Sequence, residues 1–66
     1  MKWLVPTGSV QRSADGHYLI ERATTSPEWW VAYYLPPSSG AQKLGERPDD
    51  ELARACCEVH SVEKRA

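Results

Sequence analysis

The chain has 66 residues and a formal charge of −1, from 8 Lys+Arg against 9 Asp+Glu, and its apolar residues include only eleven Val, Ile or Leu and no Phe. Three Trp and three Tyr must therefore supply much of the bulk of any core. A domain this short buries only about 60% of the surface its unfolded chain exposes, which excludes two globular domains, a deep cleft walled by the chain's own core, and a dinucleotide-binding βαβαβ unit.

In chain order, Trp3-Leu4-Val5 is a short apolar opening stopped by Pro6-Thr7-Gly8. Residues 9–13 read as a modest strand. Asp15-Gly16 is a hairpin signal, because both turn positions tolerate positive φ. Residues 17–23 read as a second strand, and Thr24-Thr25-Ser26-Pro27 as a polar turn. Residues 29–35, Trp-Trp-Val-Ala-Tyr-Tyr-Leu, form the strongest strand pattern, aromatic and β-branched with proline on both sides. Pro36-Pro37-Ser38-Ser39-Gly40 is a loop, and residues 41–44 are a short last strand closed by Gly45.

Asp49 then caps a helix, with Asp50 and Glu51 at the positive end of its dipole. On a helical wheel Leu52, Cys56 and Val59 share an arc of about 60°, which predicts them as the core stripe. Ala53, Ala55 and His60 flank that stripe, and Arg54, Glu58 and Ser61 face away. The organisation is one domain: an N-terminal segment over 1–8, an antiparallel meander over 9–45, a helix over 49–62 and a tail over 63–66. The fold class is α+β, a three- to four-stranded antiparallel sheet packed on one C-terminal helix.

Period-two alternation sends Tyr18, Ile20, Trp30, Ala32 and Tyr34 to the helix side. Ala32 would let the helix approach closely. Leu19, Trp29, Val31 and Tyr33 then lie on the far face, with no second helix to cover them. Either the N-terminal segment folds Trp3 and Leu4 over that face as a lid, or a partner or second copy covers it.

The order Tyr18-x-Ile20-x-Arg22, Trp30-x-Ala32, Leu44-Gly45 and an Asp-capped helix with Leu52-Ala53-x-Ala55 resembles the β-β-β-α domain of plant ethylene-response transcription factors. Phage integrase arm-binding domains share that architecture. Small uncharacterised prophage proteins look similar too, with a Tyr strand, a Trp strand, Leu-Gly and a final Cys-Glu-x-His helix. The resemblance covers residues 17–57, and its motifs are mostly packing residues, so it implies architecture more than function. In the DNA-binding families the open sheet face carries arginines and aromatics that enter the major groove. The matching positions here hold Leu19, Glu21, Trp29, Val31 and Tyr33, a poor set for phosphates and guanine edges. Trp29 and Tyr33 can stack on unpaired bases, but without the basic groove that accompanies stacking.

The charge pattern points the same way. Basic and acidic residues nearly balance over residues 1–45, and the acidic excess sits at Glu46, Asp49, Asp50 and Glu51. There is no basic excess to release counterions from a nucleic acid. Cys56-Cys57-x-x-His60 has an i,i+4 Cys/His pair, with His17 as a conceivable fourth ligand. Adjacent cysteines are poor zinc spacing, and a small core residue beside a helix-end histidine explains the cluster without a metal. No nucleophile elbow or phosphate-cradling glycine loop is present.

These residues predict a non-enzymatic, cytoplasmic protein-binding module with no cofactor and no bound metal. The opening segment is too short for a signal-peptide core, no run approaches a membrane span, and the adjacent cysteines make no disulfide framework. The prophage-like pattern adds phage or prophage origin and an inhibitor of host machinery, anti-CRISPR-like, as its form. The predicted partner-binding residues are Leu19, Trp29, Val31 and Tyr33 on the open face, with Glu46, Asp49 and Asp50 as an acidic edge. The alternatives are a nucleic-acid-binding module of the integrase-arm type and a structural homodimer through the open face.

Overall fold

The computed structural model describes residues 1–24 and 28–65. Four strands, β1 (Val10–Arg12), β2 (Tyr18–Arg22), β3 (Trp30–Tyr34) and β4 (Gln42–Arg47), precede one helix, α1 (Asp50–Arg65). The sheet is an antiparallel meander in the order β1-β2-β3-β4. The α+β class read from the sequence is the fold observed. Most of the turn expected over residues 24–27 lies outside the described residues.

The β1–β2 connection is built by its side chains. Gly16 N–H donates to Ser13 O at 3.0 Å. Of the Asp15-Gly16 pair only Gly16 takes positive φ, at 78°. The connection is therefore not the two-residue turn with two positive φ angles that Asp-Gly suggests; it is a longer loop with the glycine at its left-handed position. The Ser13 hydroxyl donates to Asp15 Oδ1 at 2.6 Å and accepts from Tyr18 N–H at 3.0 Å, while His17 N–H donates to the same carboxylate oxygen at 2.9 Å. These bonds satisfy Ser13, which is almost fully buried.

The N-terminal segment is not a lid. It runs antiparallel along β1, with Leu4 N–H donating to Arg12 O at 2.9 Å and Ala14 N–H to Lys2 O at 2.8 Å. Thr7 and Val10 exchange backbone bonds around Gly8, whose φ is 62°. Trp3 bridges Ser13, and alternation along β1 puts that pair on the helix side. There Trp3 packs against the core and donates its Nε1–H to Glu58 Oε2 at 3.3 Å. The expected cover over the open face therefore does not form, because pairing with β1 fixes which way Trp3 points.

The core lies between one sheet face and α1. It contains Tyr18, Ile20, Ala32, Tyr34, Ala53 and Cys57, with Trp3, Trp30, Leu44 and Cys56 packed at its margin. The sheet residues are those that alternation assigns to the helix side. Of the stripe that the wheel gives, only Cys56 packs on the core, at its margin. Ala53 and Cys57 are fully buried, whereas Leu52 and Val59 remain 46% and 57% exposed. The physical reason is volume. Tyr18, Ile20, Trp30 and Tyr34 project from the sheet and fill the layer, so only small side chains fit on the helix side. Ala32 and Ala53 bring the two layers close, and the bulkier helix residues turn to the flank.

Register explains β4. Ala32 pairs with Gly45 and Tyr33 with Lys43, so Leu44 is the extra residue of a bulge. A Cβ on Gly45 would lie 2.9 Å from Arg47 Nη1, so the glycine makes room for that guanidinium. Arg47 Nη1 in turn donates to Glu46 O at 2.7 Å. The strand extends to Arg47, beyond the Leu44 end predicted from sequence, and the helix extends to Arg65 instead of residue 62. No described helix is long and apolar enough to cross a membrane.

Candidate functional site

The predicted partner face is the sheet surface away from α1. Cross-strand pairing arranges it in two rows. One row is Val10, Glu21, Val31 and Glu46; the other is Arg12, Leu19, Tyr33 and Lys43. The structure thus brings Leu19, Val31 and Tyr33 together, as alternation requires. Val31 is buried among these neighbours, however, and Leu19 and Tyr33 are half-buried. Trp29 precedes β3, accepts a backbone bond from Ala23 N–H at 2.9 Å, and stays exposed. The face carries Glu21 and Glu46 against Arg12 and Lys43, so it is neither a continuous apolar patch nor a basic surface.

The acidic edge is locally neutralised. Glu46 pairs with Lys43 at 3.1 Å. Asp49 Oδ1 accepts from Leu52 N–H at 2.8 Å, the N-cap bond that starts α1. Asp50 pairs with Arg54 at 3.0 Å, and that guanidinium hydrogen bond holds its carboxyl below the usual carboxylate range. Arg54 also donates to Gln11 Oε1 at 2.8 Å, which ties the helix to β1. These acids serve the fold, although their carboxylates remain near the surface.

A second exposed apolar surface lies on α1. Leu52, Val59 and Val62 are 46%, 57% and 66% exposed, and Ala55 between them is exposed too. Their spacing, 52, 55, 59 and 62, alternates three and four residues, so they form one stripe along the helix. Beside it a groove of about 410 Å³ runs between α1 and β4, walled by Leu44, Arg47, Leu52, Cys56, Val59 and Glu63. Sequence reasoning missed this surface because it assigned Leu52 and Val59 to the core. The available signal was the excess of bulky aromatics on the sheet, which leaves room for small helix residues alone.

Other chemically able groups are committed elsewhere. The Tyr18 hydroxyl and His60 Nδ1 are hydrogen-bonded at 2.8 Å, and His60 also packs against the Tyr34 ring. Lys64 donates to the Tyr34 hydroxyl. Burial pushes the Cys57 thiol up to about 12, with Cys56 and Glu58 adding to the effect. Ser13, Asp15 and His17 lie close together, but the serine hydroxyl donates to the carboxylate rather than to the imidazole. That is a turn lock, not the serine–imidazole contact of a nucleophilic triad. Among the described residues no group of three or more His, Cys, Asp or Glu is placed to hold a metal ion.

Comparison with protein-family models, with curated proteins and with solved structures gave no match.

Proposed function

We propose that this chain is a non-catalytic protein-binding module whose contact surface is the outer face of α1 with the adjoining α1–β4 groove. The observation that supports this reading is an inversion along the helix: α1 buries Ala53 and Cys57 and exposes Leu52, Val59 and Val62. A helix in a single small domain normally turns its bulkiest apolar residues inward. An exposed apolar stripe rimmed by polar groups is the usual mark of an interaction surface. The prophage-like sequence pattern adds host machinery as the partner and inhibition as the outcome of binding.

The test compares immobilised wild-type chain with Val59→Asp in a bacterial lysate. Val59 is exposed, so the variant keeps the fold. A protein retained by the wild type and lost from Val59→Asp supports the reading. Equal retention by both, or DNA binding that falls steeply with salt and ignores Val59, overturns it.

A further inference from the structure

We infer that the chain forms a two-fold homodimer through the open sheet face, with β3 of one copy lying antiparallel across β3 of the second copy. That face lies opposite α1, so the dimer and the α1 docking surface are independent of one another.

Shape comes first. Alternation puts Trp29, Val31, Tyr33 and Leu35 on the open face. Pairing with the neighbouring strand continues past both ends of β3, since Ala23 N–H donates to Trp29 O at 2.9 Å and Leu35 N–H to His17 O at 2.7 Å. The four side chains form one ridge, apolar whichever end it is read from, with Trp29 40% exposed and Tyr33 and Leu35 half-buried. Trp3, the nearest candidate to cover it, packs on the helix side instead. A two-fold axis crossing the strands at Ala32 sets Val31 against Tyr33 of the second copy and Trp29 against Leu35 of the second copy. Such an isologous contact requires a patch that complements itself. Sheets packed face to face stand about 10 Å apart with their strands within about 30° of each other, a gap that the aromatic rings of both copies can fill.

Charge selects the arrangement. The acids lie in one cross-strand row, Glu21 and Glu46 with Val10 and Val31, and the bases in the next, Arg12 and Lys43 with Leu19 and Tyr33. Rotation about the axis across the strands exchanges these rows, so each acidic row lies over the basic row of the second copy. Lys43 and Glu46, 3.1 Å apart in one chain and each about half exposed, then face Glu46 and Lys43 of the second copy. Four charges alternate around a ring, and neither intrachain pair has to break. Glu21 and Arg12 make no ion pair with a described residue, and each gains the other's counterpart in the second copy as a neighbour.

The alternative two-fold, along the strands, keeps the rows and exchanges the sheet edges. It sets Arg12 against Lys43 of the second copy and Glu46 against Val10, a like-charge contact and an unpaired acid. A uniformly basic or acidic partner is repelled by one of the two rows. A second copy turned end for end meets no such repulsion.

Sedimentation equilibrium of the full chain from about 10 µM to about 1 mM reads the oligomeric state. The expected result is a monomer–dimer equilibrium within that range, weakened at least tenfold by Tyr33→Asp. Mixing tests the geometry. Glu21→Lys/Glu46→Lys makes both rows basic, and Arg12→Glu/Lys43→Glu makes both acidic. Each double variant should be monomeric alone, and their equimolar mixture should dimerise. Melting temperatures check that every variant is folded; should Tyr33→Asp unfold, the charge variants decide. A wild type that stays monomeric at the highest concentration, a dimer indifferent to Tyr33→Asp, or double variants that dimerise alone overturn the inference. So does a dimer that Val59→Asp disperses, because it puts the second copy on α1.

Discussion

Leu52→Ala and Ala53→Leu are neighbouring substitutions with opposite expected costs, and together they report how α1 is rotated on the sheet. Leu52 is 46% exposed, so roughly half of its burial is lost on truncation. Full burial of a leucine is worth ~1.5–3 kcal/mol, which puts Leu52→Ala at about 1 kcal/mol. No closed cavity forms, because the site opens to solvent. Ala53 is fully buried in the cluster with Ile20 and Ala32. Forcing a leucine there overpacks a filled layer and costs about 1–3 kcal/mol or more. Leu and Ala have similar helix propensities, so propensity does not mask the difference. In a domain this small 1 kcal/mol moves Tm by about 4–8 °C. Thermal unfolding followed by circular dichroism should therefore show a drop of about 4–8 °C for Leu52→Ala and about twice that or more for Ala53→Leu. A buried Leu52 would instead cost ~2–5 kcal/mol on truncation. A large loss for Leu52→Ala with tolerance of Ala53→Leu would refute the observed rotation, and with it the outward stripe.

Other outcomes follow from the same geometry. Asp49→Ala removes the N-cap acceptor for Leu52 N–H and should cost about 1 kcal/mol in urea unfolding; no change would mean that the cap bond contributes nothing. Native chain at pH 8 should react with a thiol reagent at one site, the half-exposed Cys56, while Cys57, pushed up to about 12 by burial, reacts only in denaturant. Two thiols reacting at equal rates would contradict that burial. Asp15, held down by the Ser13 hydroxyl, and Asp50, held down by Arg54, both have carboxyls below their ordinary value in the fold. Their contribution is present above that ordinary value, about 4, and is lost as pH falls through the lowered one. Tm should decline below about pH 4, less so in Asp15→Asn; an identical acid profile in that variant would remove the turn lock from the account.

How far the sequence could be read divides along physical lines. The strands were legible because alternation has period two and side chains leave a sheet nearly perpendicular to it. Tyr18, Ile20, Trp30, Ala32 and Tyr34 all fall on the side that alternation gives them. The Asp49 cap was legible because capping is local. The helix face was not, since a wheel ranks residues by hydrophobicity and knows nothing of the volume already filled by the opposing sheet. The large apolar residues of α1 point outward because three aromatics and an isoleucine occupy the layer first. The direction of Trp3 is fixed by a local hairpin that pairs residues 2–7 with β1 through the turn at Gly8; the Pro6-Thr7-Gly8 stop marks the turn but not that the segment folds back onto β1. The far-face residues Leu19, Val31 and Tyr33 do lie together, but flanking residues of adjacent strands cover much of Val31, and charges of both signs interleave. Exposed apolar side chains occur both at Trp29 beside the sheet and, in an ordered stripe, at Leu52, Val59 and Val62 on the helix.

We propose that the outward stripe of α1, with Leu52, Val59 and Val62 exposed, docks a protein. Its test is capture from a bacterial lysate on immobilised wild type and Val59→Asp, with Tm measured on both chains. Equal Tm values with a protein held by the wild type and at least tenfold depleted on Val59→Asp are expected; equal capture by a folded Val59→Asp chain would remove the stripe as the docking surface.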